Sequence, residues 1–195
     1  MKKFFLIILF LALMVAIAII YFSLGSRVTK NIDTYIYDLP FKEGDKHKVV
    51  QGYGGRFSHK NKACLDFLMP VGTPVYAARE GTIYSFKDDS DEGGPFPWYQ
   101  RKANYIIIKH RDGSFGCYWH LKKDGVVVKE GPVTKGQLIG YSGSTGFVLR
   151  PHLHFSVKNK LNYNMDSFVR TKFNTTKGIQ LLERGETYEN PKEEK

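Results

Sequence analysis

An all-β domain preceded by one apolar helix is the fold class predicted for this 195-residue chain, and three observations predict it. From Val49 onward, short apolar or alternating runs recur between glycines and prolines, as in a domain of strands and turns. Beyond residue 22, no stretch holds an amphipathic helical period over three turns. Ahead of both lies residues 4–22, an unbroken apolar run whose one polar group is the Tyr21 hydroxyl.

As a helix that run extends roughly 28 Å, close to the hydrocarbon thickness of a bilayer. Lys2 and Lys3 precede it, which favours a cytoplasmic N-terminus with the rest of the chain across the membrane. Residues 1–23 are therefore expected to be a membrane anchor. A cleaved signal segment is the rival, since Ala16-Ile17-Ala18 and Ser23-Leu24-Gly25 both offer small-x-small sites. In the first case the domain is extracytoplasmic and held at the cell membrane; in the second it is secreted.

Residues 24–48 read as a stalk and lead-in, and residues 49–160 as the main domain. Its candidate strands are 74–78, 81–87, 104–110, 114–121, 137–141 and 152–158. The run 88–101 (DDSDEGGPFPWYQR) interrupts them as a long loop, a length more common in functional loops than in plain connections. Phe96, Trp98 and Tyr99, beside Pro95 and Pro97, either wall a groove for peptide or sugar or pack within the loop. Its acids do not follow the calcium-loop spacing, because a loop starting at Asp89 has Gly93 at a ligand position and Gln100 in place of the closing glutamate. Residues 161–195 read as a polar extension ending in a frayed tail.

The chain carries a net charge of +10, and removing Lys2 and Lys3 leaves 10 − 2 = +8 on the part beyond the apolar run. Such a surface suits an anionic envelope. The basic residues are scattered, without the aromatic-interleaved stripe that nucleic acid needs, so no nucleic-acid partner is expected. Cys64 and Cys117 form no Cys-x-x-Cys unit; a disulfide and two separate thiols both remain open.

The most telling motif is Pro151-His152-Leu153-His154-Phe155. On a strand, His152 and His154 emerge from one face roughly 6.5 Å apart, which suits one metal-bound imidazole and one neighbour serving as a base. Alone, the pair also fits two polar residues on a solvent face. Upstream, His59 lies in a polar turn, Asp66 is embedded in Cys64-Leu65-Asp66-Phe67-Leu68, and His120 closes an apolar strand. A buried carboxylate needs a cation or another partner, and a His, Asp, His donor set fits zinc with a fourth position open.

In order and motif, the chain resembles the lysostaphin-type (LytM-like) zinc endopeptidases. The resemblance covers about residues 50–158. It rests on His59 and Asp66-Phe67, on Pro70-Val71-Gly72-Thr73-Pro74-Val75-Tyr76-Ala77-Ala78, and on Tyr118-Trp119-His120-Leu121. Gly81-Thr82-Ile83, Asn104-Tyr105-Ile106-Ile107-Ile108-Lys109-His110, Gly143-Ser144-Thr145-Gly146 and Pro151-His152-Leu153-His154-Phe155 complete it. It implies a compact antiparallel β fold with the metal site in a groove. Matched residue by residue, it implies that His59, Asp66 and His154 bind one zinc ion and that His120 and His152 are non-ligand catalytic histidines. His47 and His110 match no ligand position. Six residues separate His59 from Asp66, a longer loop than in the commonest form of the family.

The implied activity is hydrolysis of amide bonds in peptidoglycan peptides or cross-links by a metal-activated water. Two alternatives stand beside it: a non-catalytic wall-binding or activator module for another hydrolase, and a zinc peptidase acting on an exported protein. The expected partners are peptidoglycan and, through residues 4–22, the membrane.

Overall fold

The computed structural model describes residues 2–23, 31–162 and 167–192. Part of the expected stalk (24–30) and the end of the expected tail (193–195) lie outside the described residues. A large sheet organises the fold, in the order β10-β5-β7-β8-β13-β3-β2-β15. Its central strands are β5 (Gly81–Lys87), β7 (Tyr105–Lys109), β8 (Phe115–Trp119), β13 (His152–Lys158), β3 (Cys64–Leu68) and β2 (Lys46–Gln51), all antiparallel to their neighbours. β10 (Pro132–Val133) and β15 (Thr187–Glu189) close its two sides. A smaller sheet runs β4 (Pro74–Tyr76), β11 (Leu138–Ser142), β9 (Leu121–Val126).

The core lies where one face of the large sheet meets the small one. Leu65 and Phe67, Ile106 and Ile108, Tyr118, and Leu153, Phe155 and Val157 alternate along their strands and pack into one cluster. Val75, Leu121, Val126 and Ile139 of the small sheet join it. Side chains alternate at every residue, so the intervening Cys64, Asp66, Cys117, His152, His154 and Ser156 share the opposite face. The candidate site is built on that face.

β13 coincides with its expected run, and β5 does too. The run 114–121 splits: β8 ends at Trp119, His120 takes a left-handed backbone angle of φ 66°, and β9 starts at Leu121. The stretch read as stalk and lead-in contributes β1 (Ile32–Tyr37) and β2, and buries Tyr37, Leu39 and Phe41. The stretch read as a polar extension contributes β14 (Phe168–Phe173) and β15. β14 pairs parallel with β1 and antiparallel with β13. Phe173, Leu182 and Tyr188 are buried there, spaced too irregularly among polar residues to produce a strand pattern.

Residues Lys2–Ser23 form a helix, α1. Among the described residues, however, no helix is long and apolar enough to cross a membrane. The membrane-spanning expectation therefore gains no support from the fold.

The two cysteines are settled by register. Cys64 lies opposite Ser156 and Ser156 opposite Cys117, so two strand spacings, roughly 9.6 Å, separate them, beyond the ~7 Å that a bridge spans. Both are free, buried thiols.

Candidate metal centre

Adjacent antiparallel strands supply three of the five singled-out residues. Register puts His154 of β13 opposite Asp66 of β3, and His152 opposite Leu68, one pleat further along. His59 comes from the turn after β2, fixed by backbone hydrogen bonds from His59 N to Gly55 O (3.1 Å) and from Lys62 N to His59 O (2.8 Å). The longer loop between His59 and Asp66 thus returns the imidazole to the carboxylate. All five residues meet at one place: the His120 ring lies 4.7 Å from that of His152 and 5.8 Å from that of His154.

Three atoms form a tight triangle. Asp66 Oδ1 is 3.1 Å from His59 Nε2 and 2.9 Å from His154 Nδ1, and the two nitrogens are 3.1 Å apart. A tetrahedral zinc with bonds of 2.0–2.1 Å has ligand–ligand edges of about 3.3 Å, close to these sides. The protons point the same way. His59 Nδ1 faces the Gly52 carbonyl at 3.1 Å, and a carbonyl only accepts, so Nδ1 carries the proton and Nε2 offers a lone pair. One proton, on His154 Nδ1, is then left among three electron-rich atoms. A small cation at their centre satisfies all three, so the residues fit zinc.

Two other groupings fit less well. Cys64, His59 and His154 also bring ligand atoms within 4.8 Å of one another, as do His120, His152 and His154. Burial pushes the Cys64 thiol well above its ordinary value, which keeps it neutral. Burial acts against the Asp66 carboxylate too, but hydrogen bonds with His154 and His59 overcome it and hold the group well below the usual carboxylate range. His152 Nε2 stands further off, 3.5 Å from Asp66 Oδ1.

The two outer imidazoles are held alike. His120 Nδ1 donates to Thr145 O (2.7 Å) and His152 Nδ1 to Arg150 O (2.8 Å), which leaves each Nε2 to face the cluster. Burial, then the neighbouring His152 and His154, lower His120 well below the ordinary histidine range, so it is neutral at pH 7. His154 is lowered to about 4, chiefly by burial and against the pull of Asp66. His47 and His110 stand apart, with Nδ1 on the carbonyls of Leu68 and Glu80.

Gln51 and Thr145 were not singled out by their chemistry. Gln51 Nε2 donates to Asp66 Oδ2 (2.9 Å) and to Ser58 Oγ (2.8 Å), turning Oδ1 toward the histidines. Only the register shift between β2 and β3 brings it there, which leaves no linear signal. Thr145 sits in the Gly143-Ser144-Thr145-Gly146 motif, and its Oγ1 accepts from Asn104 N (3.0 Å) and donates to Leu121 O (2.8 Å).

The cluster opens into a groove of about 470 Å³. Its lining includes Gln51, Gly55, Arg56, Phe57, Ser58 and Arg184, together with Phe147 to Arg150 and His152. Phe57 and Phe147 approach to 5.5 Å between ring centres. The aromatics of loop 88–101 do not line it: Phe96 and Trp98 stack on each other at 4.4 Å, the second of the two readings. The loop is nonetheless tied to the groove, because its Gly93–Gly94 (β6) pairs with Gly146–Phe147 (β12). Its acids pair with lysines: Asp88 with Lys129, Asp89 with Lys87, Asp91 with Lys123 and Glu92 with Lys102.

Comparison with known proteins gives a match to Peptidase family M23 over residues 60–166, beginning one residue after His59. The peptidoglycan DD-endopeptidase ShyA of Vibrio cholerae serotype O1 is 39% identical over 93 residues, 47% of this chain and 19% of that protein. The glycyl-glycine endopeptidase ALE-1 of Staphylococcus capitis is 41% identical over 115 residues, 57% of this chain and 29% of that protein. The chain thus spans less than a third of the length of either relative. Among solved structures, the catalytic domain of the antimicrobial peptidase lysostaphin from Staphylococcus simulans aligns at 31% identity and a TM-score of 0.46, over 64% of this chain and 86% of that one.

Proposed function

Because the chain belongs to peptidase family M23, matched over more than half its length, we propose that it is a zinc-dependent endopeptidase hydrolysing amide bonds in peptidoglycan peptides or cross-links. The observation that carries this reading is the triangle of His59 Nε2, Asp66 Oδ1 and His154 Nδ1, with two more imidazoles beside it at an open groove. Peptidoglycan as substrate is supported by the activities in the names of the two relatives, a peptidoglycan DD-endopeptidase and a glycyl-glycine endopeptidase.

His59, Asp66 and His154 would hold the ion. Zinc supplies Lewis-acid polarisation of an amide carbonyl and makes water acidic enough to lose a proton near pH 7. The protein's own residues do the rest. Gln51 fixes the carboxylate through Oδ2 and leaves Oδ1 inward. His120, neutral and with its Nδ1 pinned by Thr145, takes the proton of the attacking water on Nε2 and passes it to the leaving amine. His152, pinned by Arg150, carries its Nε2 beside Asp66 and hydrogen-bonds the oxyanion as it develops. Since all five positions are filled, the donors a non-catalytic module would dispense with are present. Localisation outside the cytoplasm, through residues 4–22 as anchor or leader, is a further part of the proposal and rests on the apolar run and the lysines before it.

Digestion of cross-linked muropeptides tests the assignment. New amine ends are expected with the zinc-loaded chain, lost on chelation and restored by added zinc. Release that persists unchanged in His154→Ala would overturn it.

A further inference from the structure

Beyond the metal cluster, the lining of the groove is cationic. Asp66 is the one acid in its lining, against Arg56, Arg150 and Arg184. Among the described residues, the Arg150 and Arg184 side chains enter no hydrogen bond or ion pair, although acids elsewhere in the domain have found partners, among them Asp38, Asp88, Asp112 and Glu186. Two exposed arginines that line the groove thus have no internal counter-charge.

Both are held by backbone linked to the site. The carbonyl of Arg150 accepts the His152 Nδ1 proton. Arg184 comes from outside the stretch matched by the family, residues 60–166. Its turn is fixed on β2, with Gly185 N donating to Val49 O (2.8 Å) and Val49 N to Glu186 O (2.9 Å). Buried Leu182 and Tyr188 anchor it on either side, and the Tyr188 hydroxyl accepts from Glu183 N. The Arg184 backbone packs on Gly52, whose carbonyl orients His59. The C-terminal segment therefore completes a groove wall with a rigidly based cation.

We propose that Arg150 and Arg184 recognise a free carboxylate carried by the substrate near the scissile amide, so that acidic stem-peptide cross-links are the substrate class and neutral oligoglycine bridges are not. This deepens the peptidase reading above and rests on it. Guanidinium groups bind carboxylates through paired, charge-assisted hydrogen bonds, whereas a glycine bridge offers them only neutral carbonyls.

The test uses the zinc-loaded full chain and three synthetic peptides: a cross-linked stem peptide, the same peptide with the carboxylate nearest the scissile bond converted to carboxamide, and pentaglycine. The expected kcat/KM for the carboxylate form exceeds that for the carboxamide by about tenfold or more, the value of one hydrogen bond to a charged group. That ratio should fall to about twofold in the Arg150→Gln, Arg184→Gln double variant, be partly kept in Arg184→Lys, and shrink with added salt. Equal rates on the two stem peptides, a ratio untouched by the double variant, or faster cleavage of pentaglycine would overturn the proposal. Calorimetric binding of the same peptides separates it from the peptidase reading. Preference for the carboxylate without cleavage of any peptide upholds the recognition and removes the peptidase; cleavage with no preference in rate or binding does the reverse.

Discussion

His154 and His152 differ by one pleat of a strand, and their proton assignments make them unequal. His154 Nδ1 is one corner of the triangle, while His152 spends Nδ1 on a carbonyl and holds Nε2 3.5 Å from Asp66. His154→Ala is therefore expected to lose stoichiometric zinc. His152→Ala should keep zinc and lose turnover by at least about a hundredfold, in the range of general acid–base catalysis. Metal analysis beside initial rates checks this, and equal zinc loss from both would show that the pair is wrongly divided. A pH effect follows from the same ring. In the metal-free protein, burial holds folded His154 near 4, against about 6.5 unfolded. Between those values the unfolded chain binds the extra proton, so stability rises with pH and is lost as pH falls from 6.5 toward 4, by up to about 3 kcal/mol. His120, lowered in the same direction, adds to the loss. Thermal unfolding in chelator should show a falling Tm over that window, and a flat profile to pH 4.5 would refute the burial argument.

At the scale of elements, the strand carrying the two histidines was the most legible part of the chain. His152, His154 and the apolar residues between them have the two-residue period of a strand with one face on a core. Asp66 was legible as an acid among apolar neighbours, though its strand, β3, was not among the expected runs. Gln51 was hidden, because its contact depends on how β2 slides against β3, and register is a property of two strands together. The pairing of β6 with β12 was equally hidden in two glycines. A Cβ on Gly93 would overlap the Ser144 carbonyl oxygen, so close approach of the loop to the groove wall requires glycine there. Gly93→Ala is expected to push loop 88–101 away from Phe147, with a stability loss of about 1–3 kcal/mol and a raised KM. Chemical denaturation and substrate titration measure the two effects, and an unchanged KM would mean that this pairing does not shape the groove.

At the scale of the whole molecule, the ends of the domain are built into its sheet. β1, β14 and β15 pair with one another or with the strands that carry the site, through residues that read as polar flanks. Their burial comes from single residues such as Tyr37, Phe173, Leu182 and Tyr188, each separated from the next by loops, and no periodic signal survives that spacing. Tyr188→Ala should cost about 3 kcal/mol through the cavity it leaves and the hydrogen bond it removes, and should loosen the turn that carries Arg184. A denaturation midpoint that does not move would show that the C-terminal segment is only laid against the fold.

The Ser156 hydroxyl between Cys64 and Cys117 also has a bearing on how the chain reaches its folded state. With the thiols held two strands apart, the native topology contains no covalent closure, and folding involves no oxidant, isomerase or slow reshuffling step. The same sheet therefore assembles in a reducing or an oxidising solvent, held by packing, hydrogen bonds and ion pairs such as Asp38 with Lys135 and Asp112 with Arg79.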